Sequence, residues 1–301
     1  MELSDKKFAV LIDADNISHR KIKDILDEIA NYGTPTIKRI YGDFTDPKFA
    51  AWKSVLLENS ITPIQQYAYT TGKNATDSAL IIDAMDILHK ESVNGFCIVS
   101  SDSDYTRLAS RIRESGREVL GFGEKKTPKP FIKSCDKFIY VEILGQPAPA
   151  PAPVSAPAQT AAAVPAAKAA TPKKPAKKQQ GRNAPETDMP EAAPAEPAAA
   201  EKKVAPAPDT AQPQPIIRPI DDDFKTLLAN TIEDAADDSG WAFLGIVGGV
   251  LTKKMPDFDP RNYGYKKLSL LVKSLSKIVE IEERPSENKE LKLVYVRNRI
   301  R

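Results

Sequence analysis

The 301-residue chain is poor in the residue types that most often announce chemistry, with two cysteines, two histidines and two tryptophans. Cys97 and Cys135 have neither the paired spacing of a zinc site nor the density of a disulfide scaffold, so both read as core thiols. His19 and His89 have no partner pattern and read as surface or helix residues. No charge of one sign dominates: 43 Lys and Arg face 41 Asp and Glu, a net charge of +2. There is no apolar run of membrane length and no charged-then-apolar amino terminus, which leads us to expect a cytoplasmic protein with no membrane association.

Large apolar residues are missing from one long stretch. Residues 146–219 are built mainly of Ala and Pro, as in PAPAPAPVSAPAQTAAAVPAA. Such a segment buries too little surface to offset its ordering entropy, so it reads as an extended, disordered linker. A basic cluster inside it, TPKKPAKKQQGR, offers Lys173, Lys174, Lys177, Lys178 and Arg182 to phosphates or serves only as a solubilising spacer. The linker divides the chain into a domain over residues 1–145 and a smaller one over residues 220–301.

What the first domain does have is alternation. Apolar runs at residues 8–12, 36–44, 61–67, 96–100, 118–122 and 138–143 read as strands. Between several of them lie stretches with apolar residues at three- and four-residue spacing, such as Ile22, Ile25, Leu26 and Ile29, or Leu80, Ile81, Ala84, Ile87 and Leu88. The alternation predicts an α/β domain with a parallel sheet and helices on both faces.

Acids mark the ends of these strands. Asp13, Asp15 and Asn16 follow the first, Asp77 opens the helix after the third, and Ser101-Asp102-Ser103-Asp104 joins a strand to a helix. Ser103 or Asp104 of that last step reads as an N-cap, but capping accounts for one Asp and not two. Asp83 and Asp15 read either as supporting acids or as surface residues. No Lys or Arg is interleaved among the strand-end acids, and crowded carboxylates repel unless a cation is bound. Oxygen-only donors favour Mg²⁺ or Mn²⁺, and such an ion activates water for attack on a phosphodiester.

Three segments, LIDADN (residues 11–16), GKNATD (72–77) and SSDSDY (100–105), occur in the order and spacing of a known family. Across residues 5–144 the chain resembles the NYN domain of the LabA-like group of PIN-like nucleases. The resemblance implies a PIN-like fold and metal-dependent endonuclease chemistry, usually on RNA. It also implies a metal site of Asp13, Asp77, Asp102 and Asp104, with Asn16 orienting a ligand or the scissile phosphate and Lys73 as the basic residue before the central Asp. Two positions depart from the family pattern: Ser101 stands where Gly is frequent, and Tyr105 where Phe is common.

After the linker, DDDFKTLLANTIEDAADDSG predicts an acid-started helix ended at Gly240, and two further helices follow. The last is predicted to begin after an Asp259 N-cap, with Pro260 at its first position and Tyr265, Leu268, Leu271 and Leu275 inward. Two alternating segments around ERPSENKE read as a hairpin, which completes a winged helix. Through FDPRNYG (residues 258–264) and its surroundings this region resembles the OST-HTH, or LOTUS, domain, which implies RNA or protein partners. Arg261, Lys266, Lys267 and Lys273 are its candidate phosphate contacts, against a plain solvated helix face.

Together these readings imply a metal-dependent endoribonuclease with an RNA-targeting module on a flexible tether. Two alternatives stand beside it. One is a non-catalytic RNA-binding regulator that keeps the acids for structure. The other is a haloacid-dehalogenase-like phosphatase using Asp13 as nucleophile and Asp15 as acid.

Overall fold

The computed structural model describes residues 6–67, 75–145, 217–285 and 292–299. Most of the Ala/Pro-rich stretch, and Lys73, lie outside the described residues.

In the first module the strands are β1 (Lys7–Asp13), β2 (Thr34–Gly42), β3 (Thr62–Gln65), β4 (Gly95–Val99), β5 (Glu118–Gly123) and β6 (Lys137–Tyr140). The helices are α1 (Ile22–Ile29), α2 (Trp52–Glu58), α3 (Ala75–Lys90), α4 (Thr106–Glu114) and α5 (Lys129–Ser134). All six strands run parallel, in the order β3-β2-β1-β4-β5-β6. The chain therefore steps outward from β1 to β3, returns through α3, and resumes at β4 on the other side of β1. The reversal falls between β1 and β4, where open α/β sheets leave a crevice at the carboxyl ends of their strands.

Side chains alternate across the sheet with a period of two. Phe8, Val10 and Ile12 of β1 enter one core with Ile22, Ile25 and Ile29 of α1 and Trp52 of α2. Ala9 and Leu11 enter the other, with Leu80, Ala84 and Ile87 of α3 and Leu108 and Ile112 of α4. Asp13 continues the second series, and so does Ser100 after Phe96 and Ile98 of β4. The polar end of each strand thus faces the layer that contains α3 and α4. Cys97 and Cys135 are buried and unbridged, as expected of core thiols, and burial pushes the Cys135 thiol up to about 12.

α5 was absent from the sequence reading. Its six residues, KPFIKS, are too few to display a helical period, and Phe131 and Ile132 are fixed by burial in the core.

The carboxy-terminal module contains α6 (Asp222–Ala235), α7 (Leu244–Lys254), α8 (Leu268–Ser274) and an antiparallel sheet of β7 (Ala242–Phe243), β9 (Lys292–Asn298) and β8 (Val279–Pro285), in that spatial order. This is the winged-helix arrangement, with β7 as an unforeseen third strand. α6 stops at Ala235, and Gly240 instead supplies a left-handed turn residue (φ 77°) after it. Asp259 does cap, accepting from Arg261 N, but what it caps is a 3-10 turn over Pro260–Tyr263. Gly264 ends that turn in the left-handed region (φ 83°), so α8 begins only at Leu268.

The described parts of the two modules belong to one compact unit and meet along β6. This strand is a sheet edge, whose outward N–H groups need partners; Phe138 N donates to Pro256 O at 2.8 Å. Tyr140 Oη and Arg218 Nη2 both donate to Asp257 Oδ2, at 2.8 and 3.0 Å. Arg261 forms the main clamp. It donates to both carboxylate oxygens of Glu28 in α1, at 3.0 and 2.8 Å, and to both of Asp259, at 2.7–3.1 Å. The two modules, separated in sequence by the Ala/Pro-rich stretch, are thus in direct contact.

The side chains of Glu28 and Asp259 are only 11% and 7% exposed, so removing the guanidinium strands two carboxylates. Arg261→Ala is expected to cost about 3 kcal/mol, seen as a lower thermal midpoint and faster proteolysis between the modules; an unchanged midpoint and cleavage pattern would show that the clamp contributes nothing.

Candidate active site

The acids converge because three chain segments reach the same sheet edge. β1 and β4 end there, and α3 starts there after β3. Asp13 is fully buried at the end of β1. Its Oδ1 accepts from Asp15 N (3.0 Å), and its Oδ2 accepts from Asn16 Nδ2 (2.7 Å), Ser100 Oγ (2.8 Å) and Tyr105 Oη (3.4 Å). Burial, reinforced by the charge of Asp77, pushes its carboxyl above the ordinary 3.8, while Asn16 and Ser100 pull the other way.

Asp77, Asp102 and Asp104 form a cluster in which one carboxylate oxygen from each lies within 4.8 Å of the others. Asp77 sits in the first turn of α3 and accepts a 2.7 Å hydrogen bond from Tyr105 Oη. Partial burial and the neighbouring charges of Asp102, Asp104 and Asp15 raise its pKa above 3.8. Asp102 caps a 3-10 turn over Ser103–Tyr105, accepting from Asp104 N at 2.9 Å with Oδ1. The cap thus falls at Asp102, ahead of both Ser103 and Asp104, because a tight turn precedes α4. The backbone of Asp102 is held in turn by Ser100 Oγ (3.0 Å).

Asp13 is not one of the three clustered acids; it is joined to them through Tyr105. Asn16 contacts Asp13 and thereby orients that carboxylate. Two residues emerge that sequence reading had not given a site role, Ser100 and Tyr105. The signal for Tyr105 was its hydroxyl at a position where a plain aromatic ring is common. Asp15 pairs with Lys48 at 2.9 Å, a base brought in from the turn before α2. Asp83 is tied to Arg39 and to the Tyr41 hydroxyl of β2, so its role is to fasten α3 to the sheet.

Comparison with known families matches residues 7–143 to the NYN domain and residues 215–291 to the OST-HTH/LOTUS domain. The chain carries an NYN domain followed by an OST-HTH/LOTUS domain. No curated protein matches significantly. Among solved structures, an uncharacterised Nitrosomonas europaea protein studied by solution NMR is 35% identical over 34% of this chain and 94% of its own, with a TM-score of 0.26. A Vibrio parahaemolyticus protein of unknown function, seen in a crystal structure, is 20% identical over 46% of this chain and 96% of its own, with a TM-score of 0.39.

In the OST-HTH/LOTUS module Arg261 is held in the clamp with Glu28, and Lys273 pairs with Glu283 at 2.8 Å. Lys266 and Lys267 are exposed at the start of α8. No helix among the described residues is long and apolar enough to cross a membrane.

The NYN cluster stores repulsion that an amide would relieve. Because the folded chain holds the Asp77 proton to higher pH than the unfolded chain, stability is lost as pH rises through the range just above 3.8. Asp77→Asn is therefore expected to stabilise the cation-free protein by about 1 kcal/mol at neutral pH, a gain that disappears on acidification below the carboxylate range. Thermal midpoints across pH would check this, and an Asn variant no more stable at neutral pH than the parent would refute the repulsion.

Proposed function

We propose that the chain is a metal-dependent endoribonuclease whose NYN cluster cleaves RNA and whose OST-HTH/LOTUS module helps to hold it. The observation that carries the reading is the convergence of Asp77, Asp102 and Asp104 at the switch point of an NYN sheet. The donor set fits a hard divalent cation: three carboxylates, with no nitrogen or sulfur among them. We assign Mg²⁺ or Mn²⁺ to this trio, with Asp13 close behind it. Such an ion, when bound, lowers the pKa of water and offsets charge developing on a phosphodiester.

The chain's own groups divide the remaining work. Tyr105 occupies Oδ1 of Asp77, which fixes that carboxylate and aims its other oxygen. Asp13, saturated by Asn16, Ser100 and Tyr105, positions Tyr105 and the loop carrying Asp102. The same saturation argues against the phosphatase alternative, because a buried carboxylate engaged at both oxygens is not presented as a nucleophile.

The direct test is cleavage of mixed single-stranded and structured RNA by the full chain in Mn²⁺, beside Asp102→Asn. We expect the variant to lose at least about 100-fold in rate while RNA affinity holds. If the parent cuts nothing yet binds RNA as well as the variant does, the protein is a binding regulator and the nuclease reading falls.

A further inference from the structure

A second charged feature lies at the opposite edge of the NYN sheet, in a cleft of about 740 Å³ that both modules line. The end of α4 and the following turn supply Arg113 and Arg117, the end of α5 supplies Lys133, and Lys137 stands at the start of β6. From the carboxy-terminal module, the end of α7 supplies Lys253.

The cleft's two acids are already matched. Asp136 pairs with Arg113 at 2.9 Å, and Glu118 with Lys6 at 2.7 Å. Lys137 lies 4.9 Å from the ring centroid of Tyr32, near the Glu28 and Asp259 carboxylates of the clamp. Arg117, Lys133 and Lys253 have no ion pair among the described residues, so three cations face one open groove uncompensated. Such a groove attracts a polyanion, and an extended phosphate backbone satisfies several cations along its length.

We propose that this cleft is a phosphate-binding track for single-stranded RNA, formed only when the OST-HTH/LOTUS module is docked on the NYN domain. The proposal rests on the nuclease reading for its choice of RNA. It places the track away from the acidic trio: Arg117 precedes β5 at the amino edge of the sheet, whereas Asp102 follows β4 at the carboxyl edge. β5, six residues long, spans about 20 Å at roughly 3.3 Å per residue, so the track holds a flank of the RNA and not the scissile bond. Its contribution is to affinity for long substrates.

The test uses the full chain carrying Asp102→Asn, so that binding is measured whether or not the parent cleaves. Lys133→Glu with Lys253→Glu is compared with a control pair, Lys23→Glu with Lys53→Glu, which changes net charge equally from exposed positions on α1 and α2. We expect the cleft pair to weaken binding of a long single-stranded RNA by about tenfold or more at low salt and to reduce the salt slope by about 1.4, two contacts at about 0.7 each. The control pair should change neither. A short RNA unable to span the two edges should bind both equally. Equal losses for the two pairs would reduce the cleft to net charge, and no loss for the cleft pair would mean RNA does not run there; either result overturns the track, while leaving the cleavage test of Asp102→Asn unaffected.

Discussion

The buried carboxylate of Asp13 is the constraint from which the site is built. An unpaired charge in the interior would cost several kcal/mol, and four donors prevent that: Asp15 N, Asn16, Ser100 and Tyr105. These donors come from the turn after β1, the end of β4 and the turn before α4. Meeting one buried demand therefore fixes the relative position of the segments that carry the acidic cluster. Tyr105 passes the constraint outward, since its hydroxyl also reaches Asp77.

Outside this anchored centre the balance reverses. Asp77, Asp102 and Asp104 are held near one another, Asp77 feels the charge of the other two, and the fold tolerates the repulsion because β1, β4 and both cores are buried beneath them. Local instability of this kind is how proteins keep a site ready for a ligand of opposite charge. At the other end of the NYN sheet the sign is inverted, with cations around a cleft shared by the two modules. One domain thus separates an acidic edge from a basic one, and docking of the second module adds Lys253 to the basic side.

The parallel α/β order was legible in residues such as Phe8, Val10 and Ile12, because apolar runs ended by acids have a fixed meaning when they alternate with helical periodicity. Asp77, Asp102 and Asp104 were legible as acids at strand ends and helix starts for the same reason, since these are local features; that their carboxylates lie together is what the fold adds. The cap at Asp102, the 3-10 turn after Asp259 and the short elements α5 and β7 were not, since each is decided by a few residues whose conformation depends on what packs over them. Arg261 reads as a phosphate contact in a basic stretch; only the approach of Glu28, 233 positions away in sequence, makes it a clamp.

The sequence by itself determined which residue types stand at the sheet's carboxyl edge, because hydrophobic periodicity sets the strands and the strands set their ends. Only the tertiary structure decided how those residues divide their labour. Asp13 became an anchor and not a member of the trio because the period-two pleat turned it into a closed layer beside Tyr105. Arg261 joined the modules because a fork-shaped cation with two converging carboxylates gains more from desolvated pairing than from solvent. Both outcomes depend on distances between residues far apart in the chain, which composition and spacing do not encode.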